Sequence, residues 1–437
     1  MSTNYQEEYR TRKEKIINSG RWFSPFSFME IDYNVFRGRI LKVRRLSNDR
    51  GIQFLLFTQN ENISIFFSSK SPHYADFSDL VKTGDVLVLN TAKDKKGHYV
   101  ENFMIAAICS VNTGDLNYFN YNIEKYNGDA LHKRVCGSRT EIESYKIMSH
   151  VLESLHDVMR ERGFLQVLTP TLERHYRGGY ARPFSTHSNY LRENIYLRVT
   201  AEIYHKQLIV GGIERLYELL LSFRNEAASQ DSRNGFNIVE VEAAYVNEST
   251  MFDLLLRFLK RAGQHVSIDI PEYAPIKTVE ELLFGITGKT IRNIKELSQT
   301  DPYSKLGAEA FALDDYRLAN LIFKRFIVPF CNDLIILQDL QENYSPFVKK
   351  DKNVVYRWFV IWKGYKIAEI YQSETDINII KNGLDNICKK TGRFLSNYEN
   401  FLHSQYSGMP PIATMSIGIE RIVMIMCCKN DLHKVFE

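Results

Sequence analysis

Apolar and polar positions alternate in three different ways along this chain. Residues 1–20 are mostly polar, mixing Glu7, Glu8 and Glu14 with Arg10, Arg12, Lys13 and Lys15 before Gly20. That pattern predicts a charged, solvated helix with a glycine stop. Residues 33–115 carry short apolar runs separated by polar turns, at 35–43, 52–57, 63–67 and 85–89. About five short strands in such a stretch predict a small barrel of the oligonucleotide-binding type. Phe54, Phe57, Phe66 and Phe67 lie in those runs. They either stack bases from the barrel surface or fill its core, and the sequence does not decide between the two. Residues 116–140 are rich in Asn and Tyr and read as a connector. The domains expected are therefore a helix over 1–20, a barrel over 21–115, a connector over 116–140 and a larger unit over 141–437.

The larger unit opens with Ile142, Tyr145, Met148, Val151, Leu152, Leu155, Val158 and Met159. Spacings of three and four predict an amphipathic helix over 141–160. The apolar run Leu216-Tyr217-Glu218-Leu219-Leu220-Leu221-Ser222-Phe223 then ends on Arg224-Asn225-Glu226. A strand finishing on charge delivers that charge to the rim of a sheet. A second strand, 238–243, has Glu240 and Glu242 on one face and Val239 and Val241 on the other. Residues 355–362 and 365–371 predict a hairpin turning at Lys363-Gly364. Residues 272–335 are uninformative, apart from a helix expected over 318–328 and ended by Pro329. Residues 417–428 are apolar nearly all round, predicting a buried helix whose Arg421 would be a buried charge in need of an anion.

Composition narrows the class. The chain has 437 residues, 44% of them hydrophobic, and a net charge of +4. No apolar run reaches the roughly 20 residues of a membrane span. The first twelve residues lack a signal-peptide core. Six scattered cysteines without metal-ligand spacing read as reduced thiols. A cytoplasmic protein without a membrane partner is expected. Neither a phosphate-binding GxxxxGK[ST] loop nor a GxGxxG string occurs, so any phosphates must be held by side chains.

Phe223-Arg224-Asn225-Glu226, with Phe236 and Glu240 beyond the following loop, resembles motif 2 of class II aminoacyl-tRNA synthetases. Gly418-Ile419-Glu420-Arg421, preceded by Gly408-Met409-Pro410-Pro411, resembles motif 3, and Pro170 resembles motif 1. The string from Gly178 to His187, with Arg198-Val199-Thr200-Ala201-Glu202, Gly211-Gly212-Ile213-Glu214-Arg215 and Ser345-Pro346-Phe347-Val348-Lys349-Lys350, is similar to lysyl-tRNA synthetases in particular. These signals occur in family order along nearly the whole chain.

The resemblance implies an α+β fold. An anticodon-reading barrel precedes a mostly antiparallel sheet flanked by helices, and the 141–170 region forms a homodimer interface. It implies ATP-dependent activation of an amino acid and transfer to tRNA or another acceptor. Arg224 and Arg421 are the expected catalytic groups, holding the α- and γ-phosphates. Glu226, Phe236 and Gly418 complete the ATP side, with Lys366 as a further phosphate cation. Gly178, Glu202, Glu240, Glu242, Glu369 and Tyr371 fall on the amino-acid side.

The departures matter too. Phe359 and Lys366 stand where the family carries two glutamates for the Mg²⁺ that accompanies ATP, so no metal ligand is assigned. Ser232 and Arg233 replace a family histidine and asparagine, Glu242 a tyrosine and Ser373 a glutamate. Four carboxylates, at 202, 240, 242 and 369, favour a basic amino acid. The changes suggest a specialised paralogue, the alternative being a catalytically silent regulator or RNA-binding protein on the same scaffold.

Overall fold

The structure is a computed structural model. It describes residues 2–23, 35–47, 50–95, 97–109, 139–226, 232–287, 323, 327–338, 345–351, 354–392 and 394–436. Residues 116–138 of the expected connector and most of the helix expected over 318–328 lie outside these residues, while residues 139 and 140 are already helical. Pro329 itself sits in the 3-10 turn Val328–Phe330. The chain divides into two compact units, Met1–Glu143 and Ser144–Glu437.

The first unit begins with α1 (Ser2–Asn18) and continues as a closed five-stranded barrel. Its strands are β1 (Val35–Arg45), β2 (Gly51–Phe57), β3 (Asn62–Ser68), β4 (Val86–Asp94) and β5 (Gly97–Ala107), in the order β1-β2-β3-β5-β4. The β3–β5 pairing is parallel, with Ile65 opposite His98, which closes the barrel. A short helix, α2 (Tyr74–Leu80), unforeseen in the sequence, bridges β3 and β4 and seals one end with Phe77. Phe54 and Phe67 pack on Phe77 at ring-centroid distances of 5.2 and 4.7 Å. Both are fully buried, so they fill the core and stack no bases.

α1 is not simply solvated. Ile16 is buried in the barrel core, and Arg12 forks onto the buried carboxylate of Asp85. The β1 strand carries Arg37, Arg39, Lys42, Arg44 and Arg45. None of the five forms an ion pair with a carboxylate among the described residues.

The second unit takes in most of α3 (Arg139–Glu161), whose apolar stripe includes Val151, Leu155, Val158 and Met159. Two short strands follow, β6 (Leu165–Gln166) and β7 (Leu172–Glu173). β7 joins β8 (Ser185–Ser188) and β9 (Glu193–Leu197) in a small sheet. Next come α4 (Glu202–Val210), β10 (Arg215–Phe223), β11 (Gly235–Ala244), α5 (Glu248–Val266), β12 (Ile276–Thr278), α6 (Val279–Thr287) and β13 (Ile335–Gln338). β14 (Lys350–Asp351) and β15 (Val354–Val355) form a separate ribbon. The chain ends with β16 (Arg357–Trp362), β17 (Tyr365–Gln372), α7 (Ile377–Thr391), α8 (Glu399–Gln405), β18 (Ile412–Ile417), α9 (Ile419–Met426) and α10 (His433–Phe436).

The main sheet has eight strands in the order β12-β13-β16-β17-β18-β11-β10-β6. Only its two edge pairings, β12–β13 and β10–β6, are parallel. The expected run 355–362 is split at Tyr356, because Val355 pairs with Lys350 instead. Lys363 and Gly364, both at positive φ (50° and 78°), make the turn between β16 and β17, as a two-residue hairpin loop requires.

Strand alternation gives this sheet two chemically different faces. One presents Val239, Val241, Val360, Ala368, Ile370, Met415 and Ile417, which pack against α3, α5 and α9 in a single core. The other is polar and positions the candidate site. Among the described residues, no helix is long and apolar enough to cross a membrane.

Candidate active site

Cross-strand register assembles the polar face in rows. Glu218 lies opposite Glu240, Glu240 opposite Ser416, Ser416 opposite Glu369, and Glu369 opposite Phe359. In the next row Glu242 lies opposite Thr414, Thr414 opposite Tyr371, and Tyr371 opposite Arg357. So many carboxylates on one buried surface require compensation on the spot.

Most of these carboxylates find it within the chain. Glu240 accepts from Thr200 Oγ1 (2.6 Å) and from the Ala201 backbone N–H (2.9 Å), just before α4. Burial nevertheless raises its pKa, and the charge of His205 and the Thr200 bond only partly offset this. Glu218 accepts from Arg198 Nη1 (2.7 Å), Thr169 N and Oγ1 (3.1 and 2.8 Å) and His205 Nε2 (3.1 Å). Burial works against its ionised form, but those donors win and hold its pKa below the usual value. His205 is driven the other way, because the carboxylates of Glu218, Glu242 and Glu240 outweigh its burial.

Glu202 and Glu242 share a single cation, the buried Lys206 ammonium. It lies 3.2 Å from Glu202 Oε1 and 3.6 Å from Glu242 Oε1. Tyr371 also donates its hydroxyl to Glu202. Burial pushes the Tyr371 pKa well above its ordinary value, reinforced by Glu202 and Glu242. Neither Glu242 oxygen accepts a hydrogen bond. Burial therefore dominates and raises its pKa to about 7, despite Lys206.

Glu369 is clamped. Arg357 Nε donates to one oxygen and Lys366 Nζ to the other, each at 2.9 Å. Burial alone would raise its pKa, but Arg357 and Lys366 bring it down to about 2. Lys366 and Glu369 are three residues apart on one strand, so regular alternation would place them on opposite faces. A bulge resolves this: Val360 pairs with Ala368 and Ile361 with Lys366, leaving Ile367 without a partner. The extra residue turns both side chains to the same face. Lys366 Nζ and Arg357 Cζ lie 4.7 and 4.8 Å from the Phe359 ring centroid.

This arrangement bears on the case for a basic amino acid. Lys206, Arg357, Lys366 and the Thr200–Ala201 turn already meet Glu202, Glu240 and Glu369, while Glu242 accepts no hydrogen bond and its pKa stays raised. It also bears on the metal. At the positions of the expected metal-binding glutamates stand an aromatic ring and an ammonium. Both oxygens of the neighbouring Glu369 are already taken. Among the described residues no three His, Cys, Asp or Glu side chains cluster as metal ligands. These groups do not fit a divalent cation; they fit an anion.

The expected ATP-side residues gather at one end of the sheet. Val239 pairs with Ile417, so the strand segment holding Phe236 runs beside Gly418 and the start of α9. Arg224 follows β10, and its guanidinium lies 5.3 Å from the Phe236 ring centroid. Among the described residues it meets no carboxylate. Asn234 Nδ2 donates to the backbone oxygens of Arg224 and Glu226, while the Glu226 side chain is exposed. The Gly418 N–H donates to Ile367 O (2.8 Å), and Arg421 Nη1 to Lys366 O (2.8 Å). The bulge thus links both halves of the site. Arg421 is only partly buried; the buried charge of α9 is Glu420. Its Oε1 accepts from Asn237 N and Nδ2 (3.0 and 2.9 Å), and Arg233 lies 3.6 Å from Oε2.

Gly178 has a steric reason. A Cβ there would fall 2.4 Å from the Tyr176 hydroxyl and 2.6 Å from Val199 Cγ2. Sequence reasoning missed Arg198, His205, Lys206, Glu218, Arg357 and Glu420. One signal was available: Glu202 and Lys206 stand at i and i+4 on a helix.

Comparison with known proteins agrees with this geometry. Residues 132–437 match the family described as tRNA synthetases class II (D, K and N). The lysine–tRNA ligase of Buchnera aphidicola is 28% identical over 67% of this chain and 62% of its own length. Those of Pelotomaculum thermopropionicum and Thermosynechococcus vestitus are 26% and 25% identical. The aligned stretches cover 67% and 83% of this chain, and 62% and 76% of theirs.

Proposed function

The chain belongs to the class II tRNA synthetases of the D, K and N type, and we propose that it activates an amino acid with ATP and passes the aminoacyl group to an acceptor. One oxygen of the amino-acid carboxylate attacks the α-phosphate. The bond from that phosphorus to the bridging oxygen breaks, and pyrophosphate leaves. Such a reaction asks the protein for positioning and charge neutralisation rather than covalent chemistry. The observation that carries the reading is the cationic end of the polar sheet face. Arg224, Arg421 and Lys366 lie at or just beyond the ends of β10, β18 and β17 there, and Arg357, from the row of Tyr371, reaches Glu369 beside Lys366. Arginine forks suit phosphate oxygens. Phe236, beside Arg224, offers a ring for the adenine.

The amino-acid side is assigned to Gly178, Glu202, Glu240, Glu242, Glu369 and Tyr371, with Glu202 the acid that receives the α-ammonium. The acceptor is tRNA, as the names of the relatives state for those proteins, or another nucleophile used by a specialised paralogue. The basic β1 strand supports an RNA acceptor. Tyr145, Leu165 and Leu168 are exposed apolar residues of the second unit, in the region proposed as a homodimer interface.

A second reading, a catalytically silent RNA-binding or regulatory protein, is favoured by one observation: the pairing of Phe359 with a clamped Glu369 where a metal would bind. ATP–pyrophosphate exchange with a panel of amino acids separates the two. Exchange with at least one amino acid, reduced ten- to a hundredfold in Arg224→Ala and in Arg421→Ala, is expected. ATP binding without any exchange would establish the silent reading.

A further inference from the structure

We propose that the triphosphate binds this site without a divalent cation, because Lys366 and Arg357, held in place by Glu369, supply the positive charge themselves. This rests on the ATP side assigned above. The ligand is then the free nucleoside triphosphate rather than its metal complex.

The donor set comes first. A small divalent cation bound beside phosphates asks the protein for one or two carboxylate oxygens. Neither Glu369 nor Glu420 is left over for that role. Glu369 accepts from Arg357 Nε and from Lys366 Nζ, each at 2.9 Å. Glu420 Oε1 accepts from Asn237 N and Nδ2, and Arg233 lies 3.6 Å from Oε2. Opposite Glu369 in the strand register stands Phe359, whose ring has no lone pair to give. That ring packs on Phe323, 4.7 Å between centroids, and takes Lys366 Nζ and Arg357 Cζ at 4.7 and 4.8 Å. A divalent ion carried in on a triphosphate would meet two cations and an aromatic ring.

A side-chain cation does the work of a metal only if it already stands where negative charge will sit. A lysine on its four-carbon stem is flexible, but three contacts fix this one. Its ammonium is bonded to Glu369, it lies against Phe359, and its backbone oxygen accepts from Arg421 Nη1 at 2.8 Å. The bulge at Ile367 turns it to the face of Glu369. One piece of backbone thus places both Lys366 and the arginine expected at the γ-phosphate.

Lys366 and Arg357 share one carboxylate. Burial lowers the Lys366 pKa, and Arg357 and Arg421 add to this against the pull of Glu369. A further anion beside the ammonium relieves that crowding. The side chains of Lys366 and Glu369 are 34% and 24% exposed, so the anion can arrive from solvent. A triphosphate that keeps its full negative charge suits the site better than one already half neutralised by a metal.

The test is calorimetric binding of ATP to the full chain, in EDTA and in excess Mg²⁺. Wild-type affinity in EDTA should be no more than about threefold weaker than in Mg²⁺. Phe359→Glu/Lys366→Glu puts carboxylates at both positions and should make binding at least about tenfold weaker in EDTA than in Mg²⁺. Lys366→Met, which removes only the charge, is the milder variant; shown to be folded by circular dichroism, it should bind ATP in EDTA about tenfold more weakly than the wild type. A larger wild-type loss in EDTA overturns the inference, as does an unchanged EDTA affinity in Lys366→Met. Metal-free binding without amino-acid-dependent exchange upholds the inference and defeats the proposed activity, whereas exchange with Mg²⁺-dependent binding does the reverse. ATP bound in neither condition rejects the inference together with the ATP side on which it rests.

Discussion

Glu242 shows how a single residue can make stability depend on pH in an unfamiliar direction. Its carboxyl is protonated in the folded chain up to about pH 7, against an ordinary value of 4.5. Between those values the folded state holds a proton that the unfolded state has released. This contribution is therefore fully present below pH 4.5 and is lost as pH rises through 7, by at most about 3 kcal/mol. Glu242→Gln should flatten the fall, which urea unfolding at pH 5 and pH 8 would show as a smaller difference than in the wild type. Glu369, held at about 2, has the opposite sign: its contribution is present above 4.5 and lost as pH falls towards 2. Lys366 carries a second residue-level prediction. Desolvation depresses its pKa, with Arg357 and Arg421 adding to the effect against the pull of Glu369. Lys366→Glu would bring a second carboxylate beside Glu369 and leave Arg357 to serve both. ATP affinity measured with a metal chelator present should fall at least tenfold, about 1.4 kcal/mol, and added Mg²⁺ should recover much of it. Equal loss with and without Mg²⁺ would show that the lysine does not stand in for a metal.

At the scale of elements, period and register account for what was legible. The alternation in β11 separated Glu240 and Glu242 from Val239 and Val241, and the three-four spacing placed α3. The Lys363-Gly364 turn fixed the β16–β17 hairpin. The bulge at Ile367 was not legible, because an isoleucine carries no sign that it will lack a partner. It decides the site, since without it Lys366 and Glu369 would face apart. The partners of the acids were hidden for a related reason: Lys206, Arg357 and Thr200 come from three elements that only tertiary packing brings to one face. Phe54 and Phe67 illustrate the limit for the barrel, where aromatic residues suit a core and a base-stacking surface equally well. The five basic residues of β1 bear their own prediction. Neutralising Arg37, Lys42 and Arg44, all exposed or half-buried, should weaken RNA binding more at low salt than at high salt. Each phosphate left without its cation should lower the slope of log affinity against log salt by roughly 0.7 to 0.9. Filter binding across a salt series checks this, and an unchanged slope would remove the barrel strand from the RNA-binding surface.

For the whole molecule, the deciding feature is that each unit has a core of its own. The barrel core draws its buried members from residues 16–105, and the cores around the main sheet draw theirs from residue 151 onwards. Every residue assigned to ATP or the amino acid lies between Gly178 and Arg421, in the second unit. A segment with its own core can fold alone, and the family match begins at residue 132. A fragment of residues 132–437 should therefore unfold cooperatively and retain amino-acid-dependent ATP–pyrophosphate exchange within a fewfold of the full chain. Removing the barrel removes the β1 cations, so the same fragment should lose RNA affinity and any transfer to RNA that depends on it. Exchange and transfer, measured on the fragment and the full chain at equal folded concentration, would separate the two roles. Loss of exchange in a fragment shown to be folded by circular dichroism would mean that the barrel contributes to activation itself. Retained transfer to RNA at the full rate would instead place the acceptor-binding surface wholly within the second unit.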